Sequence, residues 1–90
     1  SNVKDLEKLV NLQELNLADN QLTDVKGLEK LTQLKYLDLG GNKLTDVKGL
    51  EKLTQLKYLH LQNNPGLTKA QIDELQKALP KCEIYSNAKE

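Results

Sequence analysis

The chain has 90 residues, and its 13 basic and 13 acidic side chains give a formal net charge of zero. This length is enough for a single domain, and the interspersed charges form neither a basic stripe for nucleic acid nor a polybasic patch for a membrane surface. A lone cysteine cannot form an internal disulfide, which favours a cytoplasmic or recombinant setting over a disulfide-rich secreted one. Because Phe, Trp and Met are absent, the core of this soluble domain must be built mainly from leucine.

The main feature of the sequence is an internal repeat. The sixteen residues LTDVKGLEKLTQLKYL at 22–37 return unchanged at 44–59, a spacing of 22. A unit of this size cannot bury its own apolar face, so such units stack and share one continuous core. The sequence therefore predicts a repeat array.

Each repeat begins with a pattern that is typical of a short strand. Leu-x-x-Leu-x-Leu-x-x-Asn starts at residue 12 and returns at residues 34 and 56. The central leucines alternate with polar residues, which predicts a strand with one buried face. We divide the single domain, residues 1–90, into a partial N-terminal unit at 1–11, full repeats at 12–33 and 34–55, an atypical repeat at 56–78, and a C-terminal strand and tail at 79–90.

Polar residues follow each of the first two strands. Thr23-Asp24 and Thr45-Asp46 both precede Val-Lys-Gly-Leu. Such side chains cap a short helical turn by accepting hydrogen bonds from its free backbone N–H groups. One carboxylate per turn is too few for the six or more oxygens that calcium takes, so we interpret these residues as caps and not as metal ligands.

The pattern changes after the third strand. Thr68-x-x-Gln71 is a capping box, which predicts a helix over residues 69–79 that ends at Pro80. This helix makes the third full unit different from the first two.

A fourth copy of the strand pattern follows the helix. Leu79-x-x-Cys82-x-Ile84-x-x-Asn87 returns at a spacing of 23. It predicts a fourth strand in which Cys82 points inward, at the position equivalent to Leu59. A thiol buried in an apolar layer is expected to be inert.

The signature Leu-x-x-Leu-x-Leu-x-x-Asn-x-Leu is similar to that of leucine-rich repeat proteins. The 22-residue unit resembles the short class found in bacterial internalins and in the leucine-rich regulatory subunit of protein phosphatase-1. The resemblance implies an α/β fold, a right-handed solenoid. Its parallel sheet of about four strands lies on the concave side, with short helical turns on the convex side and a helix near the C-terminus.

The outward strand positions are candidates for partner binding. Tyr36 and Tyr58 are predicted to be neighbours at the centre of the concave face, and tyrosine is enriched at interface hot spots. Alternatively, tyrosine is simply a good strand former that was copied with the repeat. The polar residues predicted to surround the pair are Glu14, Asp38, His60 and Glu83.

His60 is predicted to point outward between Asp38 and Glu83. A histidine flanked by carboxylates suggests proton transfer or metal binding, but a solvated side chain with weak cross-strand pairs is the simpler interpretation. Cys82 would face the opposite side of the sheet, so the two residues cannot share an ion. We expect no metal, no cofactor and no catalytic residue.

Asparagine closes each copy of the strand pattern. Its amide can donate to and accept from the backbone of its own turn and of the adjacent turn. We therefore predict a structural ladder formed by Asn20, Asn42, Asn64 and Asn87.

Three hypotheses for the function remain open. The first is a non-catalytic module that binds a protein or peptide with its concave face. The second is an engineered or minimal scaffold without a natural ligand, because natural arrays usually lose an identity such as that between 22–37 and 44–59. The third is a homodimer, since the strand within residues 12–17 has no preceding strand to pair with.

Overall fold

A computed structural model describes residue 6 and residues 8–88 of the chain. Its strands are β1 (Glu14–Asn16), β2 (Tyr36–Asp38), β3 (Tyr58–His60) and β4 (Glu83–Tyr85). They form one parallel sheet in the order β1-β2-β3-β4. The connections contain the 3₁₀ helices Leu28–Lys30 and Lys48–Lys52 and the α-helix α1 (Lys69–Ala78). This architecture confirms the predicted α/β repeat solenoid.

The core is a stack of leucine layers beneath the sheet. The strand leucines of the second and third units are buried, and they are Leu34, Leu37, Leu39, Leu56, Leu59 and Leu61. The corresponding residues of the first unit are only partly buried, and they are Leu12, Leu15 and Leu17. Burying a leucine side chain contributes about 1.5–3 kcal/mol. The first layer therefore contributes less to stability than the layers behind it.

The two identical sequence blocks adopt different turns. Gly27 has a φ of 94° and precedes the 3₁₀ helix Leu28–Lys30. Gly49 lies inside the longer helix Lys48–Lys52, and its φ is not positive. The same residues therefore fold differently according to the unit on which they stack.

Asp24 and Asp46 bind the backbone near these turns. The Oδ1 of Asp24 accepts from the N–H of Lys26 at 3.1 Å, and that of Asp46 accepts from Lys48 at 2.9 Å. Both are local turns in which the carboxylate bonds two residues ahead. Neither side chain caps the following 3₁₀ helix, because those N-cap positions carry no side-chain hydrogen bond.

Helix α1 begins with the predicted capping box. The N–H of Gln71 donates to the Oγ1 of Thr68 at 3.2 Å, and the N–H of Thr68 donates to the Oε1 of Gln71 at 2.9 Å. The helix ends at Ala78, one residue earlier than predicted. The Nε2 of Gln71 also donates to the O of Thr45 at 2.9 Å, which ties the helix to the preceding repeat. In the described part of the chain, no helix is long and apolar enough to cross a membrane.

The predicted register of the fourth strand is wrong by two residues. Tyr58 pairs with Glu83, and His60 pairs with Tyr85, so the step between β3 and β4 is 25 residues and not 23. The prediction placed Glu83 beside His60. A shift of two residues keeps the same side chains outward, so the alternation of polar and apolar residues could not reveal it.

The turn before β4 explains the shift. The N–H of Cys82 donates to the O of Leu79 at 3.1 Å, as the N–H of Leu56 donates to the O of Leu53 at 3.1 Å. Cys82 therefore occupies the position of Leu56, and not that of Leu59 as predicted. The Nε2 of Gln76 holds this turn, because it donates to the O of Cys82 at 2.8 Å and to the O of Leu79 at 3.0 Å.

The two interior asparagines of the predicted ladder are buried. Asn42 and Asn64 are 3% and 4% exposed. The Nδ2 of Asn64 donates to the O of Leu39 in the preceding unit at 3.0 Å and to the O of Leu61 in its own unit at 3.1 Å. One side chain thus bonds to the backbone of two adjacent units.

The two outer asparagines differ from the interior pair. Asn20 is half-buried, and its Nδ2 donates to the O of Ala18 at 3.1 Å. Asn87 is exposed; its Oδ1 accepts from the N–H of Asn63 at 2.8 Å and its Nδ2 donates to the Oδ1 of Asn63 at 3.0 Å. Because of the changed register, Asn87 does not extend the buried part of the ladder.

The two ends of the predicted domain lie partly outside the described residues. Residues 1–5 and 7 of the predicted N-terminal unit and residues 89–90 of the predicted tail are not described. Within the described part, the N–H of Leu9 donates to the O of Leu6 at 2.9 Å, and the N–H of Leu12 donates to the O of Leu9 at 3.1 Å. These bonds form the turn that leads into β1.

Candidate functional site

The outward side chains of the four strands form one continuous surface, which we call the sheet surface. The central residue of each strand points inward, and the residues on either side of it point outward. Strand pairing arranges the outward residues in two rows. The first row is Glu14, Tyr36, Tyr58 and Glu83, and the second is Asn16, Asp38, His60 and Tyr85.

Three aromatic rings of the sheet surface contact one another. The His60 ring lies 5.5 Å from the Tyr36 ring at an interplanar angle of 53°, and it stacks on the Tyr85 ring at 4.7 Å and 14°. Such ring pairs contribute about 0.5–1.5 kcal/mol beyond the area that they bury. His60 is therefore held between two tyrosines.

The carboxylates of the sheet surface do not gather around His60. The Oδ1 of Asp38 accepts from the N–H of Gly40 at 2.9 Å, while the Oε2 of Glu83 accepts from the hydroxyl of Tyr85 at 3.2 Å. Strand pairing places Asp38 and Tyr85 beside His60. The structure therefore does not bring together the predicted group of Asp38, His60 and Glu83.

Tyr85 is the residue of this surface that sequence reasoning missed. It is 39% exposed, and Tyr58 is 44% exposed. The pKa of Tyr85 is raised, first by partial desolvation and then by the charge of Glu83 and the hydrogen bond to it. The signal in the sequence was the alternation Glu83-Ile84-Tyr85, which places Tyr85 outward as soon as Ile84 is assigned to the core.

Cys82 lies in the core, away from the sheet surface. Its side chain is 4% exposed, and burial, with a smaller contribution from the charge of Glu83, raises its pKa to about 11. The thiol is therefore protonated at neutral pH and a poor nucleophile. Among the described residues, no group of three or more His, Cys, Asp or Glu side chains could hold a metal ion.

This arrangement of repeats and strands is that of a known family. The family model described as Leucine Rich repeats (2 copies) matches residues 10–52 and again residues 32–77, which together exceed half of the chain. The chain belongs to the leucine-rich repeat family. No curated protein sequence matches the chain significantly.

Solved structures give the same assignment. A leucine-rich repeat protein of Leptospira interrogans is 36% identical with a TM-score of 0.78, over 90% of this chain and 21% of that chain. Internalin C2 of Listeria monocytogenes is 32% identical with a TM-score of 0.83, over 93% of this chain and 35% of that chain. The Mex67:Mtr2 subunits of Chaetomium give 27% identity and a TM-score of 0.69, over 91% and 66%. The chain thus spans about a fifth and about a third of the first two structures.

Proposed function

We propose that the chain is a protein-binding repeat module and that it contacts its partner with the sheet surface. The observation that carries this proposal is the exposure of Tyr58 and Tyr85, which are 44% and 39% exposed on adjacent strands. Tyrosine is enriched at protein interfaces because it offers a large apolar ring with a polar tip. The family supports the same function, since stacked repeats present extended surfaces to partners.

The rigidity of the sheet supports this proposal. Each tyrosine projects from a short strand whose central residue packs on the leucine core, and Leu37 and Leu59 are 0% exposed. The ring contacts at His60 further restrict Tyr36 and Tyr85. A surface that is already ordered loses little conformational entropy on binding.

The sheet surface alone is small for a stable interface. Four strands at a spacing of ~4.8 Å cover only ~15 Å across the sheet. A standard interface buries ~800 Å² on each partner. A partner of ordinary affinity must therefore also contact the edges of the sheet.

Affinity capture with identification of the retained proteins by mass spectrometry tests this proposal. The variant Tyr58→Ser/Tyr85→Ser should lose the partners that the unchanged chain retains, with little change in Tm, because both residues are exposed. The matched control is Leu9→Ser/Val10→Ser, which removes the other large exposed apolar side chains of the described residues, 48% and 46% exposed. Partners that survive the tyrosine substitutions, or that are lost equally in both variants, would contradict binding through the sheet surface.

Self-association is a second candidate, and a different observation favours it. Leu9 and Val10 are the most exposed large apolar side chains described, and they precede β1, which forms one edge of the described sheet. An unpaired strand beside exposed apolar side chains can recruit a second copy of the chain. Sedimentation over a wide concentration range should then show a dimer that Leu9→Ser/Val10→Ser disrupts. A single monomeric species at the highest concentration would rule this candidate out.

The hypothesis of a scaffold without a ligand rests on the identity of residues 22–37 and 44–59. It predicts that the capture experiment retains no partner that depends on Tyr58 and Tyr85. The same measurement therefore separates a binding module from a scaffold.

A further inference from the structure

A groove of about 620 Å³ lies at the edge of the sheet where the strands begin. We call it the lysine groove, because Lys35, Lys57 and Lys81 line it together with Tyr58. The N–H of Lys57 donates to the O of Lys35 at 2.8 Å, so these two lysines lie on successive units. In the first unit the same position is occupied by Gln13, whose O accepts from the N–H of Lys35 at 2.7 Å. Positive charge is therefore concentrated beside the later strands.

The charges of the lysine groove are not neutralised by the described residues. All three lysines are exposed, and none of them forms an ion pair with a described residue. Glu83 is the one acidic residue that lines the groove, and its Oε2 is engaged by the hydroxyl of Tyr85 at 3.2 Å. Three ammonium groups thus face a single carboxylate.

We propose that the lysine groove binds an extended acidic segment of a protein partner, with carboxylates on Lys35, Lys57 and Lys81 and an apolar side chain against Tyr58. This inference rests on the proposed protein-binding function and names the chemistry of the partner. It also supplies the contact at the edge of the sheet that the small sheet surface requires.

The spacing of the lysines fits such a segment. Neighbouring strands lie ~4.8 Å apart, so three successive units place their lysines within ~10 Å. In an extended segment, alternate side chains lie on one side at intervals of ~6.8 Å. A segment with a carboxylate at every second residue therefore brings two or three of them within reach of the flexible ammonium groups.

A distributed set of carboxylates suits this groove better than one compact phosphate. The chain contains no arginine, so it lacks the guanidinium fork that holds phosphate in a bidentate manner. Each lysine contributes a separate point charge, and Thr54 and Gln55 add a hydroxyl and an amide along the groove. Neither of these two side chains has a hydrogen bond to a described residue.

Fluorescence anisotropy with a short labelled peptide, in which glutamate alternates with alanine, tests the proposal. Neutralising the groove with Lys35→Gln/Lys57→Gln/Lys81→Gln should weaken binding about tenfold, because each exposed ion pair contributes modestly. The matched control Lys26→Gln/Lys43→Gln/Lys48→Gln removes the same charge from exposed positions outside the groove and should bind as the unchanged chain does. Added salt should weaken the peptide complex, because exposed charges are screened.

Three results would overturn the proposal. Equal weakening by the two triple variants would mean that binding follows net charge and not the groove. Preferential binding of a matched phosphoserine peptide would make the groove a phosphate site. Absence of measurable peptide binding to the unchanged chain would exclude an acidic ligand.

The capture experiment keeps this proposal separate from the proposed function. If Lys35→Gln/Lys57→Gln/Lys81→Gln retains every partner that Tyr58→Ser/Tyr85→Ser loses, binding through the sheet surface stands and the acidic ligand is excluded. If the triple variant loses the same partners, the two surfaces bind one ligand.

Discussion

At the scale of single residues, Asn42 shows how one side chain holds two repeats together. Its Oδ1 accepts from the N–H groups of Asn20 and Leu22, each at 3.0 Å. Its Nδ2 donates to the O of Leu17 at 3.0 Å and to the O of Leu39 at 2.9 Å. Three of these four partners belong to the preceding unit, so the amide completes hydrogen bonds that the turn cannot make by itself.

The substitution Asn42→Ala should therefore be much more destabilising than Asn20→Ala. Each backbone group left unsatisfied in a buried place costs about 1–3 kcal/mol, so we expect Asn42→Ala to cost about 3 kcal/mol or more. Asn20→Ala removes one bond from a half-buried residue and should cost about 1 kcal/mol. Urea denaturation gives both free energies of unfolding. Equal losses would show that the buried asparagine has no special role.

The buried thiol of Cys82 should make stability depend on alkaline pH. Its pKa rises from the ordinary value of 9.0 to about 11 in the folded chain, so the folded state holds the proton more tightly. The resulting stability is present below pH 9.0 and is lost as the pH rises towards 11. Between urea midpoints measured on either side of this interval, the unchanged chain should lose more stability than Cys82→Ala. Equal losses would contradict a raised pKa.

At the scale of elements, the two copies of the turn sequence give an internal comparison. Gly27 requires the left-handed region of backbone conformation, with a φ of 94°, whereas Gly49 lies within a 3₁₀ helix. Side chains other than glycine adopt the left-handed region at a cost of about 1 kcal/mol. A Cβ at Gly49 would lie 3.3 Å from the flexible carboxylate of Glu29 and 3.5 Å from the Cγ2 of Val25.

We therefore expect opposite outcomes for alanine at these two glycines. Gly27→Ala should lower the free energy of unfolding by about 1 kcal/mol, because alanine is strained at a positive φ. Gly49→Ala should be neutral or slightly stabilising, because alanine limits the unfolded chain and the Glu29 carboxylate can move away. Thermal or urea unfolding of both variants makes the comparison. The expectation fails if Gly49→Ala is the more harmful change.

At the scale of the whole molecule, the two ends of the solenoid are built differently. Leu15 and Leu17 of the first layer are half-buried, whereas the interior leucines of β2 and β3 are fully enclosed. At the other end, α1 packs on the 3₁₀ helix Lys48–Lys52 and covers the last repeats. In a stacked array each unit is stabilised by its neighbours, so the unit with less cover opens first.

Amide hydrogen exchange followed by NMR should show this difference in three equivalent bonds. The N–H groups of Leu17, Leu39 and Leu61 donate to the next strand at 2.8, 2.9 and 2.8 Å. The bond geometry is the same, so exchange should follow the burial of each layer, and Leu17 should exchange fastest. If Leu17 is as protected as Leu39, the array opens only as one cooperative unit.

The sequence predicted the fold well because the leucine pattern constrains each full repeat. It gave the registers of β1 to β3, in which Leu15, Leu37 and Leu59 are paired. It also gave the capping box at the start of α1. The candidate site was predicted less well: Tyr36 and Tyr58 are adjacent as expected, but the position of Glu83 was wrong and Tyr85 was missed.

The sequence by itself determined the repeat, the face to which each strand residue points, and the leucine core, because these depend on a period that is read from neighbouring residues. Only the tertiary structure decided the register of β4, the stacking of Tyr85 on His60, and the different turns at Gly27 and Gly49. A shift of two residues leaves the alternation unchanged, so packing of the turn around Cys82 and Gln76 had to select the register. Identical sequence blocks likewise differ where their neighbouring units differ.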